Sequence, residues 1–510
     1  MNSEILKIRS RIISGESSAR KEIEESLNAA RENEDLHALL EILPDYALEK
    51  ADEIDAKIAK IRAEISDQSE LEKEIIAKIG CLAGVPYVAK DNFLTKVGHT
   101  TAASKYLENF KSPIDATAIE RLDNEGAILI GKSNLDAFAH GGSTESSAFG
   151  VTKNAIDSTR VAGGSSGGSA VVVAKNIVPF ALGSDTGGSI RQPASFNGVV
   201  GLKPTYGMIS RYGVVAMASS TDTIGTFTKN AFDAEILCEI LSGKDERDGT
   251  LHDKFFEVDN SEQKNLKIGL IREFMGDGID DEVRRKTLDF AEKLRAKGYD
   301  VDEVDLPMAK YSLAIYYIVT PAELSSNLAR FDGIRYGLRA GISEDKISEQ
   351  KNRFATKDSE IIKTENEKTS AENLDEIYGK SRDAGFMTEN KRRIMIGAFV
   401  LSSGYFDAYY LQAQKARTLL ICELDNLFEE YDFLIGPVAP TSAFKIGENI
   451  DDPLRMYLSD VMTTPASLAG LPAISIPNGA NKNGLPIGVQ IIGQQKDDAR
   501  LLALVKEMEK

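Results

Sequence analysis

Between Val161 and Pro204 the chain reads VAGGSSGGSAVVVAKNIVPFALGSDTGGSIRQPASFNGVVGLKP, two glycine-serine segments separated by one apolar stretch. One such run alone reads as a flexible turn. Two runs flanking a core segment, the second followed by Arg191 and Pro193, read instead as backbone brought close to a ligand. Glycine permits that approach and leaves N–H groups free to face an oxyanion. The fold must therefore deliver both loops to one place.

The surrounding sequence predicts how. From Gly84 to Gly225 there are many glycines and short β-rich runs at Ile128–Ile130, Val171–Val173, Val199–Val200 and Val214–Val215, with helical stretches between them. That pattern predicts an α/β fold with a mixed sheet. Before about Ile79 the chain is charged and glycine-poor, and Ile54, Ile58, Ile61 and Ile65 recur at helical spacing, which predicts amphipathic helices. Lys267 to Asp305 reads as strand, helix, strand; Arg392 to Glu429 reads as mostly helical; Phe433–Pro437, Ile474–Pro477 and Val489–Ile492 read as strands. Ser343 to Gly385 is highly charged and reads as a solvated helical insertion. The expected organisation is an N-terminal helical region (1–80) followed by one domain (81–510) carrying that insertion.

Charge and cysteine usage exclude several functions. With 61 Lys and Arg against 79 Asp and Glu, the net charge is −18, so the chain as a whole repels nucleic-acid backbones and anionic membranes. Three scattered cysteines, Cys81, Cys238 and Cys422, form neither a disulfide framework nor a CxxC metal site and suit a reducing compartment. The most apolar stretch, Ala170 to Leu182, is interrupted by Lys175, Asn176 and Pro179. A cytoplasmic protein without membrane spans is expected.

Two motif matches fail on their context. Gly126 to Ser133 satisfies the P-loop pattern, but its intervening Ala-Ile-Leu-Ile looks like the buried strand itself, where a phosphate loop should begin after a strand has ended. Gly163-Gly-Ser165-Ser-Gly167 matches a nucleophile elbow, which requires an acid and then a histidine further on. His252 is the one histidine after Ser165. A Ser-His-Asp enzyme is disfavoured.

A serine needs a base, and lysine is the remaining common partner. Lys90 follows the apolar run Val85–Ala89, which would carry it into the interior, where burial lowers an ammonium pKa toward base duty. Considered alone, Lys90 would read as an exposed lysine or one paired with Asp91; beside the serines it reads as a base.

The combined pattern resembles the amidase signature family, whose hallmark is a Ser-Ser-Lys triad set in GGSSGG and DxGGSxR segments, here from about Gly84 to the C-terminus. The resemblance implies one large mixed sheet covered by helices on both faces, with Ser189 as nucleophile, Ser165 as a bridging serine at a cis peptide, and Lys90 as base. It places the oxyanion hole at the N–H groups of Thr186, Gly187, Gly188 and Ser189. The outer segments Lys203-Pro-Thr-Tyr-Gly, Ser325-Asn-Leu-Ala-Arg-Phe-Asp-Gly, Lys391-Arg-Arg-Ile-Met and Leu401-Ser-Ser-Gly-Tyr resemble the branch of the family that provides glutaminase subunits for tRNA-dependent amidotransferases. That implies Arg393 and Asp460 as holders of glutamine, a guanidinium for the α-carboxylate and a carboxylate for the α-ammonium. It also implies a heterotrimer with B and C subunits, no metal or cofactor in this chain, and ATP and Mg²⁺ used on the B subunit, where tRNA is bound and Glu-tRNA(Gln), or Asp-tRNA(Asn), is amidated. The alternative within the family is a stand-alone amidase acting on a small amide, which would have no reason to keep Arg393 and Asp460. Departures from the family pattern are Ser195-Phe-Asn197 for the common Ala-Phe-Cys, Thr226 for a proline, Ala139-His140 for Ala-Met near the expected pocket, and the length of the insertion from Ser343 to Gly385.

Overall fold

A computed structural model describes residues 3–340, 371–449 and 451–509. Eleven strands form one mixed sheet: β1 (Leu39–Ile42), β2 (Pro86–Lys90), β3 (Ile128–Ser133), β4 (Phe180–Asp185), β5 (Val200–Lys203), β6 (Thr223–Thr228), β7 (Lys267–Ile271), β8 (Asp300–Val304), β9 (Phe433–Pro437), β10 (Ala473–Ala480) and β11 (Pro486–Gly493). Their spatial order is β1-β3-β2-β4-β6-β5-β10-β11-β9-β7-β8. β2 runs parallel to both β3 and β4, and β7 parallel to β8 and β9. The pairs from β4 through β6, β5, β10 and β11 to β9 are antiparallel.

Side-chain alternation along the strands sends successive residues to opposite faces. Tyr87, Ala89, Leu129, Phe180, Leu182, Phe433 and Ile435 enter one core, with Leu237, Phe290 and Leu501 from the covering helices. Val88, Ile128, Ile130 and Ala181 face a second core on the other side, and Leu434 and Ile492 a third. Helices Pro44–Glu64 and Gly167–Ala174 cover the second core, and Ala309–Leu328 and Leu411–Phe428 the third. The expected α/β sheet with helices on both faces is therefore present.

Several sequence expectations need correction. Val171–Val173, read as β-rich, lies within the helix Gly167–Ala174. All three valines are buried, and a short run buried all round carries no periodicity to separate strand from helix. Val214–Val215 forms no strand; Val214 makes one isolated bridge to Phe93. The N-terminal segment supplies, besides its helices, strand β1, which pairs antiparallel with β3. Of the charged insertion, 343–370 lies outside the described residues, and the remainder falls in the helix Ala371–Gly385.

The parallel strands β2 and β4 direct their carboxyl ends the same way, toward the region where open α/β sheets commonly place ligand sites. β2 ends at Lys90 and β4 at Asp185, immediately before the second glycine-serine segment.

Candidate active site

Lys90 is fully buried. Its Nζ lies 2.8 Å from Ser165 Oγ, 2.8 Å from Ser166 Oγ and 3.0 Å from Ser184 Oγ. Burial pushes its pKa down to about 7, against the opposing pull of Asp136, Asp185 and Asp222. At neutral pH a substantial fraction is thus an amine with a free lone pair. The three hydroxyls are not equivalent. Ser166 Oγ donates to the Ser184 carbonyl at 3.1 Å, and Ser184 Oγ accepts from Asn92 Nδ2 at 3.1 Å. Ser165 Oγ has the lysine as its one hydrogen-bond partner among the described residues, so its proton is free to turn toward a neutral Nζ.

Ser165 follows a cis Gly164–Ser165 peptide bond. Gln192 bridges this segment to its neighbour: its Oε1 accepts from Gly164 N–H at 2.9 Å, and its Nε2 donates to the Gly142 carbonyl at 2.8 Å. The two glycine-serine segments meet where Ser166 N–H donates to the Ser189 carbonyl at 3.2 Å. Among the described residues no side-chain hydrogen bond joins Ser165 to Ser189, so the Lys90–Ser165 link is formed and the Ser165–Ser189 link is open. Hydrogen bonds of this kind commonly tighten only once substrate is in place.

The turn from Thr186 to Ser189 is held from below. Asp185 receives Arg191 through Nε and Nη2, each at 3.1 Å, and Arg191 also reaches Gln490 and Ser467. Burial alone would raise Asp185, but the Arg191 guanidinium outweighs it and keeps the carboxylate below its ordinary range. Thr186 Oγ1 donates to Asp222 at 2.9 Å, and the Gly187 carbonyl accepts from Thr463 Oγ1 at 2.6 Å. Gly188 has φ +154°, and a Cβ there would stand 2.2 Å from Thr463 Oγ1. A Cβ at Gly187 would stand 2.7 Å from the Tyr316 ring. Only glycine allows the turn to pack this closely.

Beside this turn is a cavity of about 390 Å³ lined by Arg393, Asp460, Tyr317, Tyr457, His140 and Ser143, among others. Ser189 is not part of the lining; the cavity meets the turn through Asp460, whose Oδ1 lies 3.3 Å from the position a Gly188 Cβ would take. Arg393, on the helix Thr388–Val400, lies over the rings of Tyr317 and Tyr457 at 5.0 and 5.5 Å and gives its Nε to Glu389 at 2.7 Å. Asp460 makes no ion pair within 4.0 Å among the described residues, and its Oδ1 is buried without a hydrogen-bond partner. Burial lifts its pKa to about 8 despite the attraction of Arg393. The cavity thus presents a guanidinium, Arg393, held by Glu389, and a separate carboxyl group, Asp460, that has no ion-pair partner among the described residues.

All the expected residues fall in one region, in two groups: Lys90, Ser165, Thr186, Gly187, Gly188 and Ser189 at the strand ends, and Arg393 with Asp460 in the cavity. The sequence reading gave no role to Ser166, Ser184, Gln192, Glu389 or Tyr317. Ser166 was visible inside GGSSGG and Tyr457 three residues before Asp460, whereas Glu389 and Tyr317 reach the cavity from helices whose inward faces only packing defines. The P-loop match resolves as expected: Lys132 is a buried residue of β3, 3.0 Å from Asp91 and 2.9 Å from the Phe93 carbonyl. Among the described residues no group of three or more His, Cys, Asp or Glu is placed to hold a metal, and no helix is long and apolar enough to cross a membrane.

Comparison with known proteins agrees with this geometry. The amidase family model matches residues 22–502. The A subunit of glutamyl-tRNA(Gln) amidotransferase from Persephonella marina is 45% identical over 92% of this chain and 88% of its own length. The Staphylococcus epidermidis protein of the same name is 46% identical over 93% and 90%. A crystal structure of the Thermotoga maritima counterpart, also a glutamyl-tRNA(Gln) amidotransferase A subunit, superposes with a TM-score of 0.73 at 37% identity, covering 96% of this chain and 91% of that one. With nearly its whole length matched by the family model, and with relatives of this identity among the glutamyl-tRNA(Gln) amidotransferase A subunits, the chain belongs to the amidase family.

Proposed function

We propose that this chain is the glutaminase subunit of a tRNA-dependent amidotransferase. The observation that carries the reading is the placing of a guanidinium, Arg393, and an unpartnered carboxyl group, Asp460, in one cavity abutting the Gly188–Ser189 turn. A free α-amino acid offers a carboxylate and an ammonium a fixed distance apart, and glutamine bound by these two groups extends its side-chain amide away from them. A small neutral amide has no use for either group.

In the proposed reaction, neutral Lys90 accepts the Ser165 proton while Ser165 takes that of Ser189, and Ser189 Oγ attacks the amide carbon. The N–H groups of Thr186, Gly187, Gly188 and Ser189 receive the oxyanion as the tetrahedral intermediate forms. The lysine then returns its proton through Ser165 to the leaving nitrogen, the C–N bond breaks, and ammonia departs. The glutamyl ester on Ser189 is hydrolysed by water along the same relay, releasing glutamate. All these steps use this chain's own groups.

Ammonia made here would be consumed on a B subunit, where Glu-tRNA(Gln) is activated with ATP and Mg²⁺ and amidated, with a C subunit completing a cytoplasmic heterotrimer. The acidic balance of this chain, −18, fits a division of labour in which the partner holds the RNA. Assembly with B and C subunits, glutamine, ATP and Glu-tRNA(Gln) should give Gln-tRNA(Gln), with Asp-tRNA(Asn) as a second acceptor to be tried. Hydrolysis of small amides by the chain alone, without tRNA product in the assembly, would point to a stand-alone amidase.

A further inference from the structure

His140 lies in the cavity wall, fully buried, and its surroundings fix which ring nitrogen carries the proton. Asn390 approaches Nδ1 through its Nδ2 at 2.7 Å. The orientation of that amide is settled by two backbone groups: Asn390 Oδ1 accepts from Met387 N–H at 3.0 Å, and Nδ2 donates to the Ala137 carbonyl at 2.8 Å. A flipped amide would set two acceptors and two donors against each other. Nδ1 therefore accepts. Burial, with the charge of Arg393 added to it, holds the ring well below the ordinary histidine range, so the imidazole is neutral. A neutral ring that accepts at Nδ1 must carry its hydrogen on Nε2. That Nε2 is buried and has no hydrogen-bond partner among the described residues.

A buried donor without an acceptor is costly and points to a ligand atom that completes it. His140 is held by Asn390, which stands three residues before Arg393 on the helix Thr388–Val400, and His140 and Arg393 line the same cavity, which places the imidazole on the Arg393 side of it. Arg393 has its Nε engaged by Glu389 and its Nη2 at 3.4 Å from the Tyr317 hydroxyl, while Nη1 makes no hydrogen bond among the described residues. A carboxylate docked there has room for more donors than Arg393 supplies, since its two oxygens offer about four lone-pair sites.

We propose that His140 is a specificity-determining residue, donating its Nε2 hydrogen to the α-carboxylate of the bound amino acid beside Arg393. This rests on the glutaminase reading and adds to it a residue that separates α-carboxylate substrates from simple amides.

The test compares glutamine with 4-aminobutanamide, which is glutamine without its α-carboxylate, in the assembled complex. His140→Met keeps bulk and removes the donor. It should raise KM for glutamine about tenfold or more, the expected effect of losing one hydrogen bond to a charged group. It should leave kcat within about twofold and leave kcat/KM for 4-aminobutanamide unchanged, so that the preference between the two substrates falls by the full factor. Equal losses on both substrates would make His140 a packing residue and overturn the proposal. A wild-type complex that hydrolyses no glutamine would overturn the glutaminase reading and this one with it.

A second measurement needs no change at His140. In a Ser189→Ala complex with ¹⁵N-labelled histidine, where this chain contributes four histidines, the His140 ring should be neutral with its proton on Nε2. Its Nε2 resonance should move when glutamine is added and stay in place with 4-aminobutanamide. A ring protonated at Nδ1, or one indifferent to glutamine, would refute the assignment.

Discussion

Lys90 and Asp460 are both displaced from their ordinary pKa values by burial, in directions that separate their effects on the reaction. Lys90, brought down to about 7, must be neutral to accept a proton, so kcat should fall by about tenfold per pH unit below 7 and level off above it. Asp460, raised to about 8 by burial, must be ionised to hold an ammonium, so KM for glutamine should fall as pH rises through 8. Steady-state profiles of the assembled enzyme check both. Asp460→Asn should raise KM and remove its pH dependence while leaving the acid limb of kcat in place. Lys90→Ala and Ser189→Ala should each lower kcat by at least about 10³-fold. The serines were legible in the sequence because their chemistry lies in contiguous motifs, and Lys90 became legible only beside them. Gln192 was not, and His140 was visible only as a departure from the family pattern near the pocket, because their roles arise from hydrogen bonds to Gly164, Gly142 and Asn390 that no local spacing encodes.

At the scale of elements, the second glycine-serine segment works because β4 and the helix Arg191–Asn197 are clamped across it. Asp185 ends the strand, Arg191 opens the helix, and the two pair in a fully buried site that also takes in Ser467 and Gln490. Removing one member of such a pair leaves an uncompensated charge, at a cost of about 3–5 kcal/mol. Arg191→Met should therefore lower stability by that order in chemical denaturation and reduce kcat further by loosening the oxyanion turn, whereas an Arg191→Met protein of unchanged stability would show that the clamp is dispensable. The motif made Asp185 and Arg191 visible but not their partners. Ser467 and Gln490 come from elements almost 300 residues further along the chain, with separations of 276 and 299 from Arg191. β7 and β9 were readable as short apolar runs of strand length, while Val171–Val173 was misread because a run enclosed by core on every side has no period that distinguishes the two structures.

For the whole molecule, the α/β class follows from composition and pattern, but strand order does not. β7 and β8, central in sequence, form one end of the sheet, and β10 inserts beside β5 from the far end of the chain. That order is set by how three cores close around the sheet, which is a long-range matter of packing. The charge balance, in contrast, is readable at once and has a direct consequence. Nucleic-acid affinity is dominated by neutralising phosphates with cations, and a chain carrying −18 works against its own encounter with RNA. At about 0.1 M salt the Debye length is roughly 10 Å, so local basic residues are screened from distant acids, but the overall repulsion is not replaced by attraction. The isolated chain should accordingly show no saturable binding of tRNA(Gln) in fluorescence anisotropy at that ionic strength. The assembled complex should bind it, with an affinity that falls on added salt. Micromolar binding by the isolated chain would mean that it grips the RNA itself, and the division of labour between an ammonia-producing chain and an RNA-holding partner would have to be redrawn.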